Sequence, residues 1–217
     1  MLLLAFDTAT PAVTVALHDG SGVVSGCTQV DARRHGELLV PGIVAALAEA
    51  GRDRAELTGI AVGVGPGPYT GLRVGLMTAR ALGDALGIPV HGICTLDALA
   101  YATGRDTPFV AATDARRKEV YWARYENSRT RVEGPSVGRA ADLAESVAGL
   151  PAVGAGAALY ADAFASVDGP EHVDAAALAA LAVERLKDGG EILLPEPLYL
   201  RRPDAKVPAN YKPVVPS

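Results

Sequence analysis

The sequence predicts an α/β protein built on a mixed sheet, and three observations carry that reading. Residues 2–30 hold three apolar runs separated by turn residues, the pattern of an antiparallel meander. The run Gly63–Pro89, GVGPGPYTGLRVGLMTARALGDALGIP, reads as a strand end, a glycine-rich turn, a long helix and a helix stop. Between residues 31 and 95, helical and strand-like segments alternate, as they do when helices cover a sheet.

Leu2 to Phe6 form the first strand, which ends at Asp7 and is followed by the turn Thr8-Ala9-Thr10-Pro11. Val13, Val15 and Leu17 alternate with smaller residues as a second strand, and the Asp19-Gly20 turn leads to a third over Val23–Val30. Asp31 is positioned to cap a helix whose apolar residues Leu38, Leu39, Ile43, Ala46 and Leu47 recur at helical spacing up to Gly51. Pro41 removes one ladder donor inside it, so a kink or a late start is expected. Ile60, Val62 and Val64 mark a buried strand over 59–64. The helix from Gly71 to Leu86 has Thr70 as its expected cap and Gly87 with Pro89 as its stop, and a strand follows over Val90–Thr95. Three antiparallel strands, then helix, strand, helix, strand, is the order of a ribonuclease-H-like half-domain.

The second half is less regular. Phe109–Thr113 and Val120–Tyr125 read as a hairpin around the charged turn 114–118, with a further strand near Val132. A helix over Ala140–Ala148, a short strand over 152–154, a helix over Ala175–Lys187 and an extended, proline-rich tail from Glu196 complete the reading. We divide the chain into lobes 1–100 and 101–217.

With 217 residues, 49% hydrophobic and 21% charged, the chain has the balance of an ordinary soluble globular protein. Its net charge of -5 repels nucleic-acid phosphate, which argues against autonomous RNA or DNA binding. The opening MLLLAFD lacks a basic leader and breaks at Asp7, so no signal peptide is expected, and no apolar run has membrane-spanning length. Cys27 and Cys94 are isolated, which speaks against a disulfide framework or a zinc site and for a reducing cytoplasm.

Gly65, Gly67 and Gly71 remove side chains that would hold a backbone away from a phosphate or a second chain, and a helix N-terminus follows them. Neither G-x-x-x-x-G-K-[ST] nor G-x-G-x-x-G is spelled out, so a tight turn without a ligand stays an equal reading.

LAFDTAT at 4–10, RHGELLVPGI at 34–43, the glycine run, DARRKEVYWARY at 114–125 and PLYLR at 197–201 together closely resemble the bacterial TsaB (YeaZ) family. The resemblance implies an actin-like ATPase (ASKHA) fold of two ribonuclease-H-like lobes with mixed central sheets. It implies a role in making N6-threonylcarbamoyladenosine (t6A) at position 37 of tRNAs. The implied partners are the transferase TsaD and the ATPase TsaE, with a homodimer when the chain is alone and tRNA met only through the complex. TsaD holds a metal with an H-x-x-x-H pair beyond the strand after the second helix. Here that place reads GICTLDALAY at 92–101, and no two of His18, His35, His91 and His172 are four apart. A non-catalytic accessory subunit without catalytic residues or a bound metal is therefore expected, with Asp97 read as a helix cap. The competing expectation is a stand-alone actin-fold enzyme, either an ATPase or phosphotransferase using Asp7 or a glycoprotease-like peptidase.

Asp7, Thr8 and Thr10 match the family positions that meet nucleotide in actin-like ATPases. With Gly65, Gly67 and Thr70 they outline a residual nucleotide site of weak ATP or ADP affinity, and no cofactor is required. Equally, these short polar side chains satisfy the amides of their own turn. The resemblance directs partner contact to the two helices, through Leu38, Leu39, Gly42, Ile43 and Leu47 on the first and Leu72, Gly75, Leu76, Met77, Ala79, Arg80 and Gly83 on the second. Both stripes read equally as core. Arg116, Arg117 and Lys118 make one basic turn, and Arg201, Arg202, Lys206 and Lys212 a basic tail. Neither is interleaved with aromatics, so a solvated loop is the favoured reading of each, with help in holding tRNA within a complex as the alternative for the tail.

Overall fold

A computed structural model describes residues 1–147 and 149–201, and in it two five-stranded sheets share one strand order. The first contains β1 (Leu3–Asp7), β2 (Ala12–His18), β3 (Val23–Val30), β4 (Gly59–Gly63) and β5 (Val90–Ile93), arranged β3-β2-β1-β4-β5. The second contains β6 (Phe109–Asp114), β7 (Glu119–Asn127), β8 (Thr130–Arg139), β9 (Pro151–Val153) and β10 (Ser166–Val167), arranged β10-β9-β6-β7-β8. In each, the first three strands are an antiparallel meander and the last two run parallel to the first.

Side-chain alternation along the strands divides the molecule into layers. Leu4 and Phe6 of β1 point to one face, where they meet α1 (His35–Glu49) and α2 (Tyr69–Leu86). Leu3 and Ala5 point to the other, where α3 (Thr95–Tyr101) and α6 (Ala175–Asp188) lie against Phe109, Ala111, Ala123 and Tyr125 of the second sheet. On that sheet's far face Val110, Ala112, Val120 and Trp122 pack with α4 (Ala140–Leu143) and α5 (Ala155–Leu159). Each fully buried Leu, Ile or Phe contributes about 1.5–3 kcal/mol of apolar transfer to this stack.

Several boundaries differ from the sequence reading, each for a local reason. Asp31 does not cap α1: its carboxylate accepts from the Arg33 amide instead, and the helix starts late, at His35, with Pro41 on an exposed position. The second helix starts at Tyr69 behind Pro68, so Thr70 is already inside it and makes no capping bond. The predicted stop holds, with Gly87 left-handed at φ 67°. Among the described residues of the predicted segment 140–148, one helical turn forms, α4 (Ala140–Leu143). Helix α3 escaped the reading because Thr95–Ala100 are buried without exception, leaving no amphipathic period. The short α5 and β10 were also missed.

Asp97 lies within α3, where Cys94 is the cap residue, and its role is not capping. Its carboxylate accepts from the Tyr125 hydroxyl at 2.9 Å, from Arg131 at 2.8 Å and from Arg185 at 2.9 Å, joining α3 to β7, β8 and α6. Burial and the Asp97 charge together push the Tyr125 hydroxyl well up from its ordinary range. After α6 the chain turns back as a strap. Leu193 pairs with Gly92 on the β5 edge, Leu198 donates to the Val64 carbonyl at 2.8 Å, and Arg201 reaches the Ala115 carbonyl and the Glu119 carboxylate. Arg202, Lys206 and Lys212 lie outside the described residues.

Removing the Asp97 charge takes from two largely buried guanidiniums the anion they share, leaving Arg131 with Glu191 at 3.7 Å. Asp97→Asn is expected to cost about 3 kcal/mol in chemical denaturation. An unchanged midpoint would show that these arginines are solvated without it.

Candidate functional site

The turn after β1 and the glycine run lie in backbone contact. Four glycines at intervals of four, Gly63, Gly67, Gly71 and Gly75, face residues 7–9. A Cβ on Gly63 would stand 1.7 Å from Asp7 Oδ2, on Gly67 2.2 Å from the Ala9 carbonyl oxygen, on Gly71 2.4 Å from the Thr8 carbonyl oxygen, and on Gly75 2.6 Å from Thr8 Oγ1. No side chain fits at any of these places. Thr8 Oγ1 donates to the Gly71 carbonyl at 2.7 Å and accepts from the Gly75 amide at 3.0 Å, so one hydroxyl bridges successive turns of α2.

Asp7 is fully buried in the same contact. Its Oδ1 accepts from the Ala9 amide and its Oδ2 from Thr95 Oγ1, both at 2.7 Å, while Thr95 Oγ1 accepts from the Gly65 amide at 3.0 Å. Burial pushes the Asp7 carboxyl up from its ordinary range, against the opposing pull of the Thr95 and Ala9 hydrogen bonds and of His35. The glycines thus admit the chain's own turn, residues 7–9. Of the six residues named for nucleotide, Asp7, Thr8, Gly65 and Gly67 are enclosed in this contact, while Thr10 and Thr70 reach an open cleft.

That cleft, of about 270 Å³, is bordered by the start of α1, the start of α2 and the β6–β7 turn. Arg33, His35, Thr113, Asp114, Arg116 and His172 contribute to its walls. His35 Nε2 is 2.8 Å from the Thr10 carbonyl, and Asp114 is engaged by Arg116 through the backbone amide at 2.8 Å and the guanidinium at 3.4 Å. Thr113 Oγ1 and His172 Nδ1 are buried there without a partner among the described residues. Burial pushes the Cys94 thiol up to about 12, which leaves it protonated and poorly nucleophilic at neutral pH. Among the described residues no group of three or more His, Cys, Asp or Glu is placed to hold a metal.

The helix pair α1–α2 divides the residues named for partner contact. Leu39, Gly42, Ile43, Leu72, Gly75, Leu76, Ala79 and Gly83 are buried, most of them in the core beneath the helices, whereas Leu38 and Leu47 are half-buried. Met77 and Arg80 face outward. Exposed apolar side chains that the sequence reading did not name lie on the first helix: Val40 is 53% and Val44 60% accessible, beside 52% for Met77 on α2. Their signal was available as apolar residues off the buried stripe.

Comparison with known proteins gives this geometry a family. Residues 22–174 match the family model described as "TsaD: tRNA N6-adenosine threonylcarbamoyltransferase". An uncharacterised protein of Mycobacterium tuberculosis is 48% identical over 211 residues, covering 94% of this chain and 93% of the relative. The protein described as "tRNA threonylcarbamoyladenosine biosynthesis protein TsaB" from Escherichia coli is 35% identical over 135 residues, or 61% of this chain and 58% of that protein. The solved structure of YeaZ from Pseudomonas aeruginosa superposes with a TM-score of 0.80 at 29% identity, over 92% of this chain and 99% of the other. This chain belongs to the TsaB (YeaZ) family. Its paired sheets of identical strand order give it the actin-like architecture of two ribonuclease-H-like lobes. No helix among the described residues is long and apolar enough to cross a membrane.

Two predictions follow from the TsaB-family glycine contact. Gly67→Ala is expected to cost at least about 2 kcal/mol by overpacking, while Gly36→Ala, in α1 with nothing within 4 Å, is neutral or stabilising by up to about 1 kcal/mol. Parallel thermal melts decide this, and equal midpoints for the two variants would contradict it. Asp7 has a raised folded-state pKa, so its favourable term is present below the unfolded-state pKa and is lost as pH rises through the folded value. Melting temperatures of Asp7→Asn relative to the native chain are therefore expected to rise from acid toward neutral pH. A difference that stays flat with pH would mean that Asp7 titrates normally.

Proposed function

We propose that this chain is a non-catalytic subunit in synthesis of t6A at position 37 of tRNA, acting by binding and activating the transferase TsaD together with the ATPase TsaE. Its family membership and the naming of relatives as t6A biosynthesis proteins support the pathway. The observation that carries the scaffold reading is the exposed apolar face of α1 and α2, with Val40, Val44 and Met77, on a chain whose Asp7 is sealed by its own glycine contact. In this reading the face meets TsaD in the complex and a second copy when the chain is alone, in the cytoplasm. In this reading no cofactor is required and nucleotide binds weakly if at all, a view that the burial of Asp7 and Thr8 supports.

Placing a carboxylate on the helix face separates scaffold from stand-alone enzyme. Val44→Glu with Met77→Glu is expected to lower TsaD co-purification and reconstituted t6A yield at least tenfold while leaving the melting temperature within a few degrees, since both side chains are solvent-exposed. Full t6A yield without this chain, or ATP turnover by the chain alone at enzyme-like rates, would refute the proposal.

A further inference from the structure

Among the described residues the two sheets have four outer edges, and three of them are guarded. β5 is covered by the strap, where Leu193 pairs with Gly92. β10 is only two residues long. β8 carries Arg131, Glu133, Pro135 and Arg139, and its pairing with β7 slips at three places. Short length, charge, proline and irregular register are the devices that keep a sheet edge from pairing with another chain. β3, at the remaining edge, has eight residues without a charge or a proline. Its one register shift falls at the hairpin end, between Leu17 and His18, so Ser25–Val30 runs regularly against β2.

The same strand is well made for pairing. Val23, Val24, Thr28 and Val30 are β-branched, which suits a pleated surface, and the three valines are 44%, 39% and 60% accessible. It is held firmly from within: the Ser25 hydroxyl donates to the Ala46 carbonyl of α1 at 2.8 Å, and Thr28 shares a hydrogen bond with Thr14 of β2 at 2.8 Å. Among the described residues, the backbone bonds of β3 go to β2. Amides and carbonyls alternate in direction along an antiparallel strand, so a second row of them points outward along this edge.

We propose that β3 is a self-pairing edge: in solution it runs antiparallel to β3 of a second copy, and the two five-stranded sheets become one continuous sheet. Identical strands meet in this way about a two-fold axis normal to the sheet, and the contact uses up both edges, so assembly through it closes at a dimer. Charge favours a second copy as the occupant. Chains of net charge -5 repel one another, and a strand free of ionised side chains is where two of them approach without setting like charges opposite each other. Main-chain hydrogen bonds supply the affinity, as in other contacts made by adding a strand to a sheet. The inference does not depend on the t6A reading, and the surface it names is distinct from the α1–α2 face.

The test uses the full chain carrying Val44→Glu and Met77→Glu, so that self-association through the helix face is removed. This chain is expected to sediment as a dimer at micromolar concentration. Hydrogen exchange across residues 23–30 is expected to slow as the concentration rises, while exchange across residues 130–139 of β8 stays the same. Adding Val24→Lys with Val30→Lys, both at exposed positions, is expected to raise the dimer dissociation constant at least about tenfold while the melting temperature stays within a few degrees. Val132→Lys, exposed on β8, serves as the control and leaves the constant unaltered. A monomer at every concentration overturns the proposal. So does exchange at β3 that is independent of concentration, the result expected if the chain itself, residues 202–217 included, covers the edge. A dimer that the lysine pair leaves intact overturns it as well, by placing the contact elsewhere. If the lysine variant does not fold, the exchange measurement still decides. Neither TsaD nor tRNA enters the experiment, so its failure leaves the proposed function standing.

Discussion

The first half of the molecule is arranged around one close approach, that of the backbone and side chains of residues 7–9 to the glycine column 63, 67, 71 and 75. It fixes where α2 starts, how close α2 comes to β1, and how α3 is joined through Thr95. Polar groups that would otherwise be stranded by such proximity are mutually satisfied: the Thr8 hydroxyl on α2, the Asp7 carboxylate on Ala9 and Thr95, and Thr95 on the Gly65 amide. A buried network of this kind is stable only when each member has its partner, which ties the identity of Asp7, Thr8 and Thr95 to the spacing of the glycines.

How much of this could be seen in the sequence depended on whether a residue's neighbours were local. The strands were legible because sheet faces separate by period two, and β6 to β8 were found for the same reason. The stop of α2 was legible because Gly87 and Pro89 act on their own helix. The glycine run was visible, yet its occupant was not, since only the fold brings residue 8 to residues 71 and 75. Helix α3 and the Asp97 network were invisible because their partners, Arg131 and Arg185, come from β8 and α6. On α1 and α2 an apolar stripe marks what is buried, so a contact surface had to be sought among the residues off that stripe, such as Val40 and Val44.

The same distinction separates the two charged features of the second half. Asp97, Arg131 and Arg185 are drawn into the layer between the sheets, where they join elements and face little water. Arg116, Arg117 and Lys118 are held outward by a turn that resists its own backbone geometry. The Asp97 charge is matched and enclosed between elements, whereas the three residues of the turn stand at the surface.

Helix α6 and the strap behind it complete the first sheet from the far end of the chain. Ala175 donates to Thr14 Oγ1 at 2.9 Å, and Leu193 and Leu198 close on β5 and on the residue after β4. The face carrying Leu3 and Ala5 therefore has α3 upon it early in the chain order but is completed only when α6, made after the whole second sheet, docks there. Maturation of the first sheet is thus coupled to synthesis of α6, and a nascent chain that stops short of that helix leaves a greasy, half-built sheet rather than a finished lobe.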